Sequence, residues 1–182
     1  LSQTVLVTNH RFAPQFKKWQ RVRSYRFDIV DDGTSTPETR LGAIRDLLLG
    51  LEQIPSTDDV LVVGTDNLLT CSLRKLVKAA WTKRPSATIA VQQVSSRREA
   101  RRFGVIEMDG DGRVVRCLEK PAHPPSLTVG LCLYYFPPPC RTSLHAYLAQ
   151  GGLGDAPGHF IEWLSAREAV YAVMTDGMWF DI

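Results

Sequence analysis

Residues 60–63 read VLVV, and the run ends in Gly64, Thr65, Asp66 and Asn67. Four aliphatic side chains in succession leave no polar face, so the segment predicts a short strand buried on both sides. Such a strand needs a packed layer above and below it. The neighbouring sequence supplies candidates for both. Strand-like runs at 4–9 (TVLVTN), 25–30 (YRFDIV) and 87–94 (ATIAVQQV) alternate with helical patterns. One helix is expected over His10–Gln20, with Phe12, Phe16 and Trp19 at helical spacing. A second is expected over 38–53. Thr36 would cap it, Pro37 suits its first position and Glu38 its positive end. A third is expected over Ser72–Lys83. This βαβα order predicts an α/β fold, a Rossmann-like three-layer sandwich with a mostly parallel, doubly wound mixed sheet.

The second half has another grain. The stretch 103–121 (FGVIEMDGDGRVVRCLEKP) predicts two strands joined at Asp109–Gly112, a small β-hairpin subregion. LTVGLCLYYF (127–136) is a further strand stopped by three prolines. Helices follow near Arg141–Gln150 and Pro157–Arg167, and 169–182 (AVYAVMTDGMWFDI) predicts a closing strand pair. With 182 residues, no internal repeat and no low-complexity linker, 1–182 is expected to be a single domain. The strand pattern is under way by Thr4, after a first residue that is not Met. The domain is therefore expected to be incomplete at its N-terminus.

A net charge of +3 is too small to suggest nucleic acid, though it suits an anionic ligand. The four cysteines (Cys71, Cys117, Cys132 and Cys140) form no CxxC pair, which argues against a zinc ribbon. Cys117 and Cys132 sit in apolar runs and are expected to act as small core residues. A reducing, cytoplasmic setting is expected. No run has the length of a membrane helix, no secretory signal is visible, and no membrane partner is expected.

In a doubly wound sheet, ligands collect at the carboxyl ends of strands. Asp66 and Asn67 stand at one such end, Asp31–Thr36 at another, and Asp181 closes the last apolar run. Two carboxylates at strand ends can hold Mg²⁺ and leave sites open for phosphate. The competing reading is that Asp66 merely caps the following helix. Glu119 and Lys120 precede Pro121. Neighbouring strand residues point to opposite faces, so a bend before the proline would be needed to bring both into one pocket. The alternative there is a solvated hairpin edge. RREARR (97–102) reads as a solvated helix face before it reads as a phosphate contact, and no aromatic residues are interleaved for nucleic acid. His10, His123, His145 and His159 show neither metal spacing nor a nearby nucleophile, and structural or surface roles are expected of them. No GxGxxG and no Walker loop occurs.

Together these segments resemble a sugar-phosphate nucleotidyltransferase of the glucose-1-phosphate thymidylyltransferase type. The resemblance rests on VTNH (7–10), DDGTSTPETRLGAI (31–44), VLVVGTDN (60–67), the hairpin with LEKP, DAPGHFIEWL (155–164) and GMWFDI (177–182). It implies a nucleotide-diphospho-sugar transferase-like fold and a reaction joining a sugar 1-phosphate to a nucleoside triphosphate, with release of pyrophosphate. By resemblance, Asp66 and Asp181 hold Mg²⁺ and, with Lys120, form the catalytic set. Asn67, Gly104, Glu119, Lys120 and Gly130 lie on the sugar-phosphate side. The loop carrying Asp32, Gly33, Thr34 and Arg40 lies near the nucleotide. The implied partners are a nucleoside triphosphate and a sugar phosphate, with a homo-oligomer left open.

The sequence departs from the family pattern at several points. The family opens with a glycine-rich triphosphate loop, followed by a lysine in a Pro-Lys-Pro stretch, and the match here begins after both. Thr65 stands where glycine usually precedes the metal aspartate, and Val129 where threonine is common. These departures predict weak or absent transferase activity for this stretch by itself. They keep two other readings open: a non-catalytic relative that binds a sugar nucleotide or a partner protein, and a metal-dependent glycosyltransferase.

Overall fold

The computed structural model describes residues 2–182. The chain divides into two compact units. The first comprises the stretch up to Asp58 together with Leu153–Ala156, and the second Asp59–Gly152 with Pro157–Ile182.

In the first unit, β1 (Val5–Thr8) and β2 (Asp28–Asp31) pair in parallel, with Val5 opposite Asp28 and Thr8 opposite Asp31. Between them runs α1 (Ala13–Arg23), three residues later than the aromatic spacing suggested. Pro14 suits its first turn, and Ser24 closes it in a left-handed conformation. The second helix is also displaced. Residues 36–39 form a turn, and α2 spans Ala43–Glu52 with Gly42 as its N-cap. Thr36 therefore does not cap it. Gly42 has φ +88°, and a Cβ there would stand 2.5 Å from the carbonyl oxygen of Gly154. Only glycine lets the backbone turn and close on 153–154 at that point. The amide of Ile44 then donates to Gly154 O at 2.9 Å.

The second unit is built around β8 (Thr128–Phe136), whose last four residues are all buried. β5 (Ala87–Gln93) lies antiparallel along one edge of β8, and β9 (Val170–Met174) runs parallel to β5. The other edge is shared. β3 (Val60–Val63) takes its end from Leu133 to Phe136, and β6 (Gly104–Met108) meets it at Val129. β7 (Val114–Glu119) completes the expected hairpin, turning through Asp109–Gly112, where Gly112 has φ +78°. Helices α3 (Leu73–Trp81), α5 (Pro139–Ala149) and α6 (Pro157–Ser165) pack on this sheet. Arg97–Ala100 form the one-turn α4.

The fold is thus mixed α/β with a central multi-stranded sheet. Its pairing is less parallel than expected: among the described residues only β1–β2 and β5–β9 run parallel. The reason is β8. It returns by way of the hairpin and inserts antiparallel between β3 and β5, which a local hydrophobic pattern does not encode. β3 is also less buried than its aliphatic run implied, with Val63 41% exposed. Among the described residues, β8 is its sole strand partner.

Two short strands complete the unit. β4 (Asn67–Leu69), which the sequence did not suggest, pairs antiparallel with β10 (Trp179–Asp181). The closing strands β9 and β10 are therefore not partners of each other, as a terminal strand pair would require. No helix among the described residues is long and apolar enough to cross a membrane.

Candidate functional site

Because β3 and β6 share one edge of β8, that edge is interrupted between them. β3 reaches Cys132 through the amide of Gly64, which donates to Cys132 O at 2.7 Å. β6 begins at Gly104, with Val105 opposite Val129. The interruption faces Gly130–Cys132. The candidate sugar-side residues Gly104 and Gly130 and the turn carrying Asp66 all border it.

At two of these places a Cβ would press on neighbouring side chains, which would have to shift to admit it. A Cβ on Gly64 would sit 2.8 Å from both Cys132 Sγ and Asn67 Nδ2. A Cβ on Gly130 would sit 2.7 Å from Ile89 Cδ1.

The β4–β10 ribbon brings the backbones of the two expected aspartates next to each other. Asp181 lies opposite Asn67, one residue from Asp66, and the amide of Ile182 donates to Asp66 O at 3.0 Å. Asp66 is exposed, and its Oδ1 accepts from Asn67 Nδ2 at 2.7 Å. Asn67 Oδ1 accepts in turn from Trp179 Nε1 at 2.6 Å. Both carboxylates act on one fixed group: the Cys132 thiol is pushed up to about 11, first by burial and further by Asp66 and Asp181. Asp66 does not cap α3, because β4 intervenes. Ser72 is the cap, accepting from the amide of Lys75.

Glu119 lies opposite Gly104 at the end of β7, and its side chain is only 9% exposed. Its carboxylate rests on the first turn of α6, where a Cβ on Gly158 would fall 1.7 Å from Glu119 Oε2. The LEKP and DAPGHFIEWL segments therefore meet at Gly158. Burial raises the Glu119 pKa; Lys120 and His159 oppose the rise, and Glu162 adds to it. Lys120 has φ +45°, and its ammonium stands 4.0 Å from Glu119 Oε1. The bend that both residues would need before Pro121 is thus present, and Glu119 is not on a solvated edge. His159 Nδ1 lies 3.8 Å from Glu162 Oε2. Of the RREARR run, Arg102 comes within 3.9 Å of Asp181 and so reaches the ribbon.

The candidate nucleotide residues lie in the first unit, on the turn after β2. Asp32 accepts from the Thr34 amide at 2.7 Å and from its hydroxyl at 3.0 Å, and Asp31 accepts from the Gly33 amide at 2.9 Å. Gly33 has φ +75° and open space where a Cβ would stand. Arg40 pairs with Asp155 at 2.6 Å. Asp46 lies against this turn. Its carboxyl pKa is raised to about 6 by burial and by Asp32.

Among the described residues no three His, Cys, Asp or Glu side chains gather to hold a metal. Asp66 and Asp181 would supply two oxygens and leave the rest to water or phosphate. That is the coordination Mg²⁺ accepts and a closed zinc site does not.

The nucleotidyl transferase family model matches residues 2–182. The chain belongs to that family. Among curated members, it is 31% identical over 144 residues to a glucose-1-phosphate thymidylyltransferase of Streptomyces antibioticus. That match covers 78% of this chain and 39% of the relative. Among solved structures, it superposes with a TM-score of 0.79 on a protein assigned as a glucose-1-phosphate thymidylyltransferase from Bacillus anthracis, crystallised in complex with a sucrose. There the identity is 16%, with 97% of this chain and 69% of the other covered, a likeness of fold.

Trp179, Gly158 and Glu162 were not singled out in the sequence, yet they contact the family's candidate site residues. Gly158 and Glu162 lay inside the DAPGHFIEWL match. Trp179 lay inside the GMWFDI match, but its contact could not be read there, because its partner Asn67 is 112 residues away.

Proposed function

We propose that the stretch 1–182 is one nucleotidyltransferase-like domain that binds a sugar 1-phosphate and takes part in joining it to a nucleoside triphosphate. The observation that carries this reading is the β4–β10 register, with Asp181 opposite Asn67 and hence beside Asp66. In the reaction, a sugar-phosphate oxygen forms a bond to the α-phosphorus. The bond from that phosphorus to the bridging oxygen breaks, and pyrophosphate leaves with the electron pair. Asp66 and Asp181 would hold Mg²⁺, which supplies positive charge to the transferring phosphoryl group. Lys120, on its bent backbone, offers a mobile ammonium to the sugar phosphate. Glu119, buried and with a raised pKa, accepts from sugar hydroxyls, with the Gly104 and Gly130 backbone beside it. The turn with Asp32, Gly33, Thr34 and Arg40 serves the nucleotide.

One observation favours binding without turnover. Arg102 stands 3.9 Å from Asp181 and competes with a cation for it. The test is a thermal-shift screen of this chain against nucleoside triphosphates and sugar phosphates, with and without Mg²⁺. Mg²⁺-dependent stabilisation that disappears in Asp66→Ala is expected. Equal stabilisation in that variant would remove Asp66 from the site. Pyrophosphate release assayed alongside separates transfer from binding.

A further inference from the structure

Asn67 sits between two groups of opposite demand. The Trp179 indole N–H can only donate, and the Asp66 carboxylate can only accept. Trp179 Nε1 lies 2.6 Å from Asn67 Oδ1, and Asn67 Nδ2 lies 2.7 Å from Asp66 Oδ1. Turning the amide over would face donor with donor and oxygen with carboxylate, losing both bonds at once. The indole therefore decides which way the amide points. The second Nδ2 proton points to Gly64 O at 3.3 Å, so both amide donors are engaged within the turn.

Trp179 is well placed to impose this choice. Its ring meets Phe103 edge-on at 4.8 Å and packs against two apolar clusters, one of Leu76, Ala90, Leu131 and Leu133, the other of Val94, Ala100, Val105 and Val129. Asp66, by contrast, is on an exposed turn and would otherwise sample several rotamers.

We propose that Trp179 is a positioning residue. Through the Asn67 amide it fixes one carboxylate oxygen of Asp66 and leaves the other turned outward for a divalent cation. Asn67 then serves the carboxylate. The inference rests on the cation site proposed above.

The probe is Mn²⁺ alone, titrated into this chain and followed by electron paramagnetic resonance. Losing a group that orients a metal ligand costs about 10–100-fold in affinity. Trp179→Phe keeps an aromatic ring against Phe103 and removes the donor. About a tenfold weaker Mn²⁺ affinity is expected, with the fold retained by circular dichroism. Asn67→Ala should weaken binding similarly. The double variant should be no weaker than either single one, because the two act as one unit.

A structural signature accompanies this. The Trp179 indole N–H resonance, identified by its loss in Trp179→Phe, should shift in Asn67→Ala. Wild-type affinity in Trp179→Phe, or fully additive losses in the double variant, would overturn the inference and leave the cation site standing. Failure of both the wild type and Asp66→Ala to bind Mn²⁺ would overturn the cation site and the inference with it.

Discussion

Gly158→Ala tests the seat of Glu119 most directly. The new methyl carbon would fall 1.7 Å from Glu119 Oε2 and 2.6 Å from its Cδ. An ordinary carbon–oxygen contact is about 3.3 Å, so the carboxylate must retreat by about 1.6 Å. The clash meets the far end of a flexible side chain, and rotating Glu119 away costs about 0.5–1.5 kcal/mol. Alanine in place of glycine returns up to about 1 kcal/mol of helix preference to α6. The two nearly cancel, so stability should change by about 1 kcal/mol or less, a few degrees in Tm.

The position of the carboxylate, however, is lost. In the wild type, burial holds the Glu119 pKa above its ordinary value. Once displaced towards water, Glu119 should titrate closer to that ordinary value, which carboxyl-carbon NMR reads directly. The sugar-phosphate-dependent thermal shift should fall as far as it does in Glu119→Ala. Combining Gly158→Ala with Glu119→Ala should then bring no further loss of that shift. An unchanged Glu119 titration in Gly158→Ala would refute the contact. A restored titration with the full ligand shift intact would refute the role of Glu119.

Three further outcomes follow from the same geometry. Asp46 has its carboxyl pKa raised to about 6 from an ordinary 3.8, so the folded state favours the neutral form. Its contribution is fully present below about pH 4 and is lost as pH rises through about 6. Asp46→Asn should flatten that decline, and Tm measured from pH 4 to 8 should show the variant gaining on the wild type as pH rises. Gly42→Ala should destabilise the first unit by more than 1 kcal/mol, because φ +88° and the 2.5 Å approach of Gly154 O both oppose a Cβ and the obstacle is backbone; chemical denaturation measures this. Ser72→Ala should cost about 1 kcal/mol through the lost cap on α3, also read by denaturation.

What the sequence shows and what it hides divides along the range of the interaction. Aliphatic runs such as 60–63 and 128–136, and the Asp109–Gly112 turn, are local signals, and each became the expected strand or hairpin. The direction of β8 between β3 and β5 is a tertiary choice and was not legible. The start of α2 was misread because Thr36-Pro37 is a plausible cap by itself, while Gly42 is required only by the arrival of Gly154.

The candidate site is subject to the same division. Helix capping, the competing local reading of Asp66, fails because a three-residue strand, Asn67–Leu69, stands between Asp66 and α3. Three residues make a strand only when a partner supplies the hydrogen bonds, and here the partner is Trp179–Asp181. The pairing that creates β4 is therefore the same one that sets Asp181 beside Asp66 and Trp179 against Asn67. A substitution that unpairs the ribbon should remove all three relations together, so the nearness of Asp66 and Asp181 along the backbone is a product of the ribbon and not of either strand.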